Sequence, residues 1–503
     1  MNKKTFILIG FIILKFVLQY VLISPEYDLQ RDEYLHLDQA HHLAWGYLSV
    51  PPVTSWFSYI ILQLGNSVFW VKFFPALFGA LTLLVVWKTI EFLKGNLYAL
   101  VLGALCILFS ALLRINMLYQ PNSFDVLCWT LFYYILIQYV FTEKSKWLYI
   151  GAVVFAFGFL NKYNILFLLI GLLPAILISK QRKIFAEKKL YFALILGLLL
   201  ILPNLLWQYN NHFPIVHHMK ELAETQLVNV DRADFAKEQI LFFIGAFFVI
   251  LSSFYALLFY KPFEKYKFFF ATIIFTLIVF LYFKAKAYYA IGLYPIYIAF
   301  GSVFLADVLQ NGWKRFLKPV FIALPLLFFI PMYYLAFPNK NPEKIVTEKL
   351  KTHRWEDGKE HNLSQDFADM LGWKELARKT DSVYALFPKT ESTLVLCDNY
   401  GQAGAINYYT KKGIKAVSFN ADYVNWFNLN LYYTNLIRVK EFDKDSKEFV
   451  ETSPYFDISL IGGEITNKYA REYRTTIFIF KNAKININKR LEQEIKEEKN
   501  YAK

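Results

Sequence analysis

Cysteine is nearly absent, with three in 503 residues. Cys106 and Cys128 fall in apolar runs and Cys397 lies far downstream. No spacing suggests a metal knuckle or a disulfide framework, so all three read as small buried hydrophobes. Charge is thin as well: 19% of residues are charged, against about 25% in soluble domains. No basic stretch is interleaved with aromatics in a soluble region, which argues against nucleic acid as a partner. No glycine-rich loop of the phosphate-cradling kind occurs, which removes the usual mark of a nucleotide site. The chain has no internal repeat. Its first apolar run, Thr5 to Ile23, follows Lys3-Lys4. That run lacks a small-x-small cleavage pattern before Ser24-Pro25 and reads as an uncleaved helix rather than a signal peptide.

What the chain has in abundance is apolar and aromatic surface: 56% hydrophobic residues, 50 Phe and 35 Tyr, and a mean hydropathy of +0.32. The apolar residues come in blocks of about 17–25, enough to cross a hydrocarbon core of roughly 30 Å. The pattern predicts about eleven transmembrane helices, near 5–23, 68–91, 97–113, 123–141, 147–160, 163–179, 190–206, 240–260, 267–283, 290–308 and 318–335. Net charge is +14. Residues 337–503 carry 27 Lys+Arg against 24 Asp+Glu, which leaves 27 basic and 16 acidic residues in 1–336. That excess falls in alternate connections: Lys3-Lys4, Lys88 to Lys94, Lys144 with Lys146, Lys180 to Lys189, Lys261 to Lys267, and Lys314-Arg315 with Lys318. Basic loops mark the cytoplasmic side and meet anionic lipid headgroups. The N-terminus is therefore expected inside. Loops 24–67, 114–122, 161–162, 207–239 and 284–289 are expected outside. An odd number of spans puts the tail outside too. The expected fold is an α-helical polytopic membrane domain, 1–336, with a soluble extracytoplasmic domain, 337–503.

Two external loops are long. In 24–67, Tyr34, Leu35, Leu43, Trp45, Tyr47 and Trp56 mix with histidines and acids, and Pro51-Pro52 divides two segments. This reads as amphipathic helices at the membrane interface. Loop 207–239 opens on Trp207-Gln208-Tyr209 and passes His217-His218 into a polar stretch. In the tail, residues 393–397, 415–418, 458–461 and 475–480 read as strands and 402–410 as a helix, a small α/β domain. The last twenty or so residues are charged, a helix or a frayed end.

Charge near membrane depth requires a reason. The densest case is Arg31-Asp32-Glu33, followed by His36, Asp38, His41 and His42. Adjacent carboxylates at a membrane mouth can hold a general base, because a second negative charge and partial desolvation raise basicity. The same acids also suit the N-terminus of the helix that follows, and both roles can coexist. The spacing of His36, His41 and His42 does not align them on one helix face, so polar interfacial contacts are preferred to a metal cluster with Asp38. Arg114 and Asp125 are read as a structural ion pair.

The segment Asp32-Glu33-Tyr34 through His42-Leu43-Ala44-Trp45-Gly46-Tyr47, followed by Pro51-Pro52, resembles the first external loop of the dolichyl-phosphate-mannose protein mannosyltransferase superfamily. This superfamily is glycosyltransferase family 39-like and in bacteria is related to the lipid A aminoarabinose transferases. Further similar pieces follow in order: Pro121-Asn122-Ser123-Phe124-Asp125, Gly158 to Tyr163, Pro203 to Tyr209 with Phe213-Pro214, Lys286-Ala287-Tyr288-Tyr289 before Tyr294-Pro295, and Asp398 to Ala405. The resemblance covers most of the chain and implies a GT-C fold. It implies transfer of a hexose or pentose from a polyprenyl-phosphate donor, undecaprenyl in a bacterium, to a hydroxyl of a protein, lipid or glycan on the outer side of the plasma (inner) membrane, with inversion. By carry-over, Asp32 is the catalytic base, and Glu33 positions the acceptor or shares the role. Where relatives carry a charged or polar pair before Pro-Pro, this chain has Ser49-Val50. No metal is therefore assigned, although the resemblance leaves room for a divalent ion.

A leaving phosphate needs cations near the outer headgroup plane. Lys162, and Lys284 with Lys286 beside Tyr288 and Tyr289, are basic residues in short external loops, against the topological bias. Lys162, Lys286, Tyr288 and Tyr289 are the candidate phosphate site; the plainer alternative is snorkelling to lipid headgroups. Arg31, His41, His42, Asp125 and His218 are candidate substrate contacts. Asp398-Asn399-Tyr400-Gly401 reads as a strand-to-helix turn that recognises acceptor, if it has a site role at all. Two rival functions remain: a transporter or flippase of a polyprenyl-linked substrate, and a membrane anchor for the tail.

Overall fold

The computed structural model describes residues 2–225, 227–348, 353–388 and 392–499. Each of the eleven apolar runs forms a helix at or near its expected position. Six are long and apolar enough to cross a membrane by themselves: Lys3–Val21, Val68–Phe92, Pro121–Thr142, Lys188–Asn210, Ala287–Val308 and Gly312–Leu335. Two more crossings are possible as bent pairs, Ile165–Leu177 with Lys180–Ala186 (106°) and Arg232–Leu241 with Ile244–Phe259 (66°). Leu97–Leu108, Lys146–Asn161 and Phe268–Tyr282 are shorter apolar helices. Pro121–Thr142 and Ala287–Val308 are enclosed by the others, whereas Lys3–Val21, Lys188–Asn210 and Gly312–Leu335 face outward along most of their length. A helix satisfies its own backbone hydrogen bonds, so an apolar exterior of this kind is stable only in lipid.

After the short helix Pro342–Thr347, the tail forms a hairpin of β1 (His353–Arg354) and β2 (Glu360–His361). A five-stranded sheet follows: β3 (Ser392–Cys397), β4 (Val417–Ser418), β5 (Tyr433–Lys440), β6 (Phe456–Glu464) and β7 (Thr476–Ala483), in the order β4-β3-β5-β7-β6. β3 runs parallel to β4 and β5, and β7 is antiparallel to β5 and β6. The central strand β5 is absent from the sequence reading because Asn435, Arg438 and Lys440 break its apolar run. Arg438 is buried there by a 2.7 Å ion pair with Asp398. One face of the sheet packs on Phe449, Ile487 and Leu491 of the helices Phe442–Thr452 and Ile487–Lys499. The predicted charged C-terminal segment is thus helical through Lys499; residues 500–503 lie outside the described residues.

The other face packs on the helices Trp373–Tyr384 and Tyr400–Tyr409, and this core does not stop at the membrane part. Trp373, Ala403, Ile406 and Tyr423 share one cluster with Tyr34, Leu35, Phe74 and Phe78. The helix Arg31–Asp38 is therefore not laid flat on a surface: Glu33 through Leu37 are buried between the tail and the ends of the apolar helices. Each fully buried apolar side chain contributes about 1.5–3 kcal/mol, so the tail is docked rather than tethered. Polar clamps reinforce it. Asp38 accepts from Tyr423 Oη (2.6 Å) and Asn407 Nδ2 (2.7 Å). Asp422 accepts from Gln39 Nε2 (3.0 Å) and the Leu48 N–H (2.8 Å). Burial pushes both carboxyls up to about 6, against the pull of these hydrogen bonds.

The helix Tyr400–Tyr409 crosses Arg31–Asp38 at Gly404. A Cβ there would lie 2.7 Å from both Tyr34 Cβ and Tyr423 Oη. Gly404→Val is expected to lower the unfolding midpoint of the purified protein. Overpacking at a closed contact costs about 1–3 kcal/mol, and valine regains only a few tenths of a kcal/mol over glycine in helix propensity. An unchanged midpoint would show that the two helices can part without loss.

Candidate active site

The two adjacent acids diverge. Gln30 caps the helix Arg31–Asp38: its side chain accepts from the Asp32 N–H, and its own N–H donates to Glu33 Oε2. Successive helical residues point about 100° apart, so Glu33 turns inward and Asp32 does not. Glu33 is fully buried. Its Oε1 accepts from Lys72 Nζ (2.7 Å) and the Tyr119 N–H (2.6 Å), and its Oε2 from Lys72 Nζ (2.8 Å) and the Gln30 N–H (2.6 Å). A carboxylate has about four lone-pair sites, and these four bonds fill them. Asp32 is only half-buried. Its Oδ1 accepts from Tyr400 Oη (2.6 Å) and its Oδ2 from Gln120 Nε2 (3.0 Å). Two lone-pair sites remain, so Asp32 can take a further hydroxyl and Glu33 cannot.

From Asp32 a line of side chains runs to a cation. Gln120 Oε1 accepts from Asn122 Nδ2 (3.0 Å), and Asn122 Oδ1 accepts from Lys162 Nζ (2.7 Å). Lys162, at the end of the helix Lys146–Asn161, lies over the rings of Tyr289 (4.3 Å) and Tyr288 (5.2 Å). Lys286 Nζ is 3.5 Å from Glu356 Oε1 in the β1–β2 hairpin. His218, on the helix Pro214–Thr225, is lowered by burial and also by the charges of His217 and Lys286, against the pull of Glu221. Lys162, Tyr288, Tyr289, Lys286 and His218 thus form one electropositive, aromatic neighbourhood.

Other candidates point elsewhere. The expected Arg114–Asp125 pair does not form. Arg114 turns to the tail, with Nη2 3.8 Å from Asp366 Oδ2. Asp125 accepts instead from Trp129 Nε1 one helical turn on (3.0 Å) and from Asn164 Nδ2 (2.9 Å). The ring of His42 stacks on Trp426 at 4.3 Å, and burial pushes its pKa down to about 4. His41 is exposed, while His36 is buried against Gln39. Among the described residues no group of three or more His, Cys, Asp or Glu is arranged to hold a metal. Arg31 lies over the Tyr400 ring at 4.5 Å.

Three residues around this centre were not singled out in the sequence, Lys72, Gln120 and Asn122, and Tyr400 entered only as part of the turn Asp398–Gly401, with acceptor recognition rather than a contact to Asp32 as its reading. Lys72 sits inside an apolar run, where its charge already called for a buried partner. Asn122 and Tyr400 lie within the family-like segments, but nothing in the sequence says what they touch.

Residues 49–207 match the family model described as dolichyl-phosphate-mannose-protein mannosyltransferase. The matched span starts after the Arg31–Asp38 helix and includes Lys72, Gln120, Asn122 and Lys162. No curated protein matches the sequence significantly. The fold is similar to the crystal structure of ArnT from Cupriavidus metallidurans in the apo state, with a TM-score of 0.66, 12% identity, and coverage of 95% of this chain and 98% of that one. It is similar to the same protein bound to undecaprenyl phosphate, with a TM-score of 0.63, 11% identity and the same coverage. The chain thus has the GT-C fold of that membrane protein over nearly its whole length, and its residues 49–207 are similar to the dolichyl-phosphate-mannose-protein mannosyltransferase family.

Proposed function

We propose that this protein is a membrane glycosyltransferase that moves a sugar from a polyprenyl-phosphate donor to a hydroxyl acceptor on the outer side of the membrane. The observation that carries the reading is the line Asp32–Gln120–Asn122–Lys162, which joins a carboxylate with open lone pairs to a cation on an aromatic platform. Asp32 takes the acceptor's O–H proton as that oxygen attacks the anomeric carbon. The bond from that carbon to the phosphate oxygen breaks, and its electron pair leaves with the polyprenyl phosphate. Attack opposite the leaving group inverts the anomeric centre. Lys162 and Lys286 neutralise the charge that builds on the leaving phosphate, with phosphate taking the place of Glu356 beside Lys286. Glu33 does no proton transfer in this reading. Its bonds to Lys72, Tyr119 and Gln30 hold the helix that presents Asp32. A fold relative was crystallised with undecaprenyl phosphate, the leaving group that an undecaprenyl donor would generate.

Purified protein incubated with a panel of polyprenyl-phosphate sugars is expected to release polyprenyl phosphate from one donor class. Movement of intact lipid-linked sugar across reconstituted vesicles, with no release from any donor and any acceptor extract, would replace this reading with transport.

A further inference from the structure

We propose that Tyr400, supplied by the C-terminal domain, is a positioning residue that orients the Asp32 carboxylate for proton abstraction. The proposal rests on the reading of Asp32 as the base. Among the described residues the tail contributes no helix long and apolar enough to cross a membrane, yet its Tyr400 Oη comes within 2.6 Å of Asp32 Oδ1. Only one other side chain among the hydrogen bonds described, Gln120, reaches that carboxylate, on the opposite oxygen. The carboxylate plane is thus held between one donor from the membrane part and one from the tail.

The arm behind Tyr400 is rigid. Tyr400 starts a helix at the carboxyl end of β3, the end of an α/β sheet where ligands usually lie. Asn399 caps that helix by accepting from the Gln402 N–H, and Asn399 and Gln402 both donate to the buried Glu472. Asp398, one residue earlier, is locked by Arg438 (2.7 Å) and Lys440 (2.8 Å). Arg31 lies over the Tyr400 ring, and its stem passes so close to Gly401 that a Cβ there would be 2.5 Å from Arg31 Cγ. Burial, and then the charge of Asp32, raise the Tyr400 phenol far above its ordinary range. It therefore stays a donor and does not compete for the proton.

This arrangement has a purpose only if the angle of Asp32 matters. The terminal torsion of an aspartate is broad. A base must come within about 2.6–3.2 Å of the proton it takes, and a misplacement of about 1 Å can lower the rate on the order of 10²-fold. Tyr400→Phe removes the hydroxyl and keeps the ring on which Arg31 rests. It is expected to lower kcat roughly 10- to 100-fold, with the KM for the lipid-linked donor and the unfolding midpoint unchanged.

The experiment measures kcat, KM and unfolding midpoint for the full-length wild type, Tyr400→Phe and Asp32→Asn side by side. Wild-type kcat in Tyr400→Phe beside an inactive Asp32→Asn would overturn the proposal and leave the base assignment standing. A fall in kcat with a matching rise in KM and a lower midpoint would assign Tyr400 to docking alone and also overturn it. An active Asp32→Asn would instead remove the base reading on which the proposal rests.

Discussion

Asp32→Asn is expected to lower kcat about 10³-fold, within the 10²–10⁴ range that a positioned general base contributes, while the protein stays folded. Asparagine keeps the size of aspartate and can still accept from Tyr400. It cannot take a proton. Its amide nitrogen also faces Gln120 Nε2, donor against donor. Gln120 could relieve this by flipping its amide, but its Oε1 already accepts from Asn122, which in turn accepts from Lys162. The variant therefore loses the base and disturbs the line to the cation together. Single-turnover release of polyprenyl phosphate measures the loss, and the unfolding midpoint guards against a trivial cause. A rate within threefold of wild type would remove Asp32 from the chemistry.

The membrane helices were legible because lipid imposes one length and one composition on a span, and that rule leaves its mark residue by residue. The site was legible only as a neighbourhood. Asp32 and Glu33 are adjacent in sequence and alike in chemistry, and nothing local says which one is saturated. The difference arises from Lys72 on another helix and from the Tyr119 backbone. Tyr400 lies 368 residues from Asp32, a separation that no periodicity can bridge. β5 was hidden for a related reason. Its Arg438 and Lys440 look solvent-facing until the acids that meet them, Asp398 and Glu448, are seen. Arg114 and Asp125, eleven residues apart and close to one membrane face, looked like natural partners. Each found a better-placed one, in the tail and within its own helix.

The Glu33–Lys72 pair separates holding from chemistry. Glu33→Gln leaves the Lys72 charge buried with no counter-charge, and removing one member of a buried ion pair typically costs about 3–5 kcal/mol. A clear drop in the unfolding midpoint in detergent is the expected result, with activity lost along with the fold. Lys72→Met alone should do the same by stranding the Glu33 carboxylate. The double variant Glu33→Gln with Lys72→Met removes both charges and keeps similar volumes. Such replacements are often neutral, and the glutamine oxygen can still accept from the Tyr119 or Gln30 N–H. The double variant should therefore recover most of the stability. If Glu33 only holds the helix that presents Asp32, activity returns with stability. If Glu33 shares the proton with Asp32, the double variant folds but stays inactive. The four filled lone pairs of Glu33 favour the first outcome, because a carboxylate that already accepts four hydrogen bonds has nowhere to receive an acceptor hydroxyl.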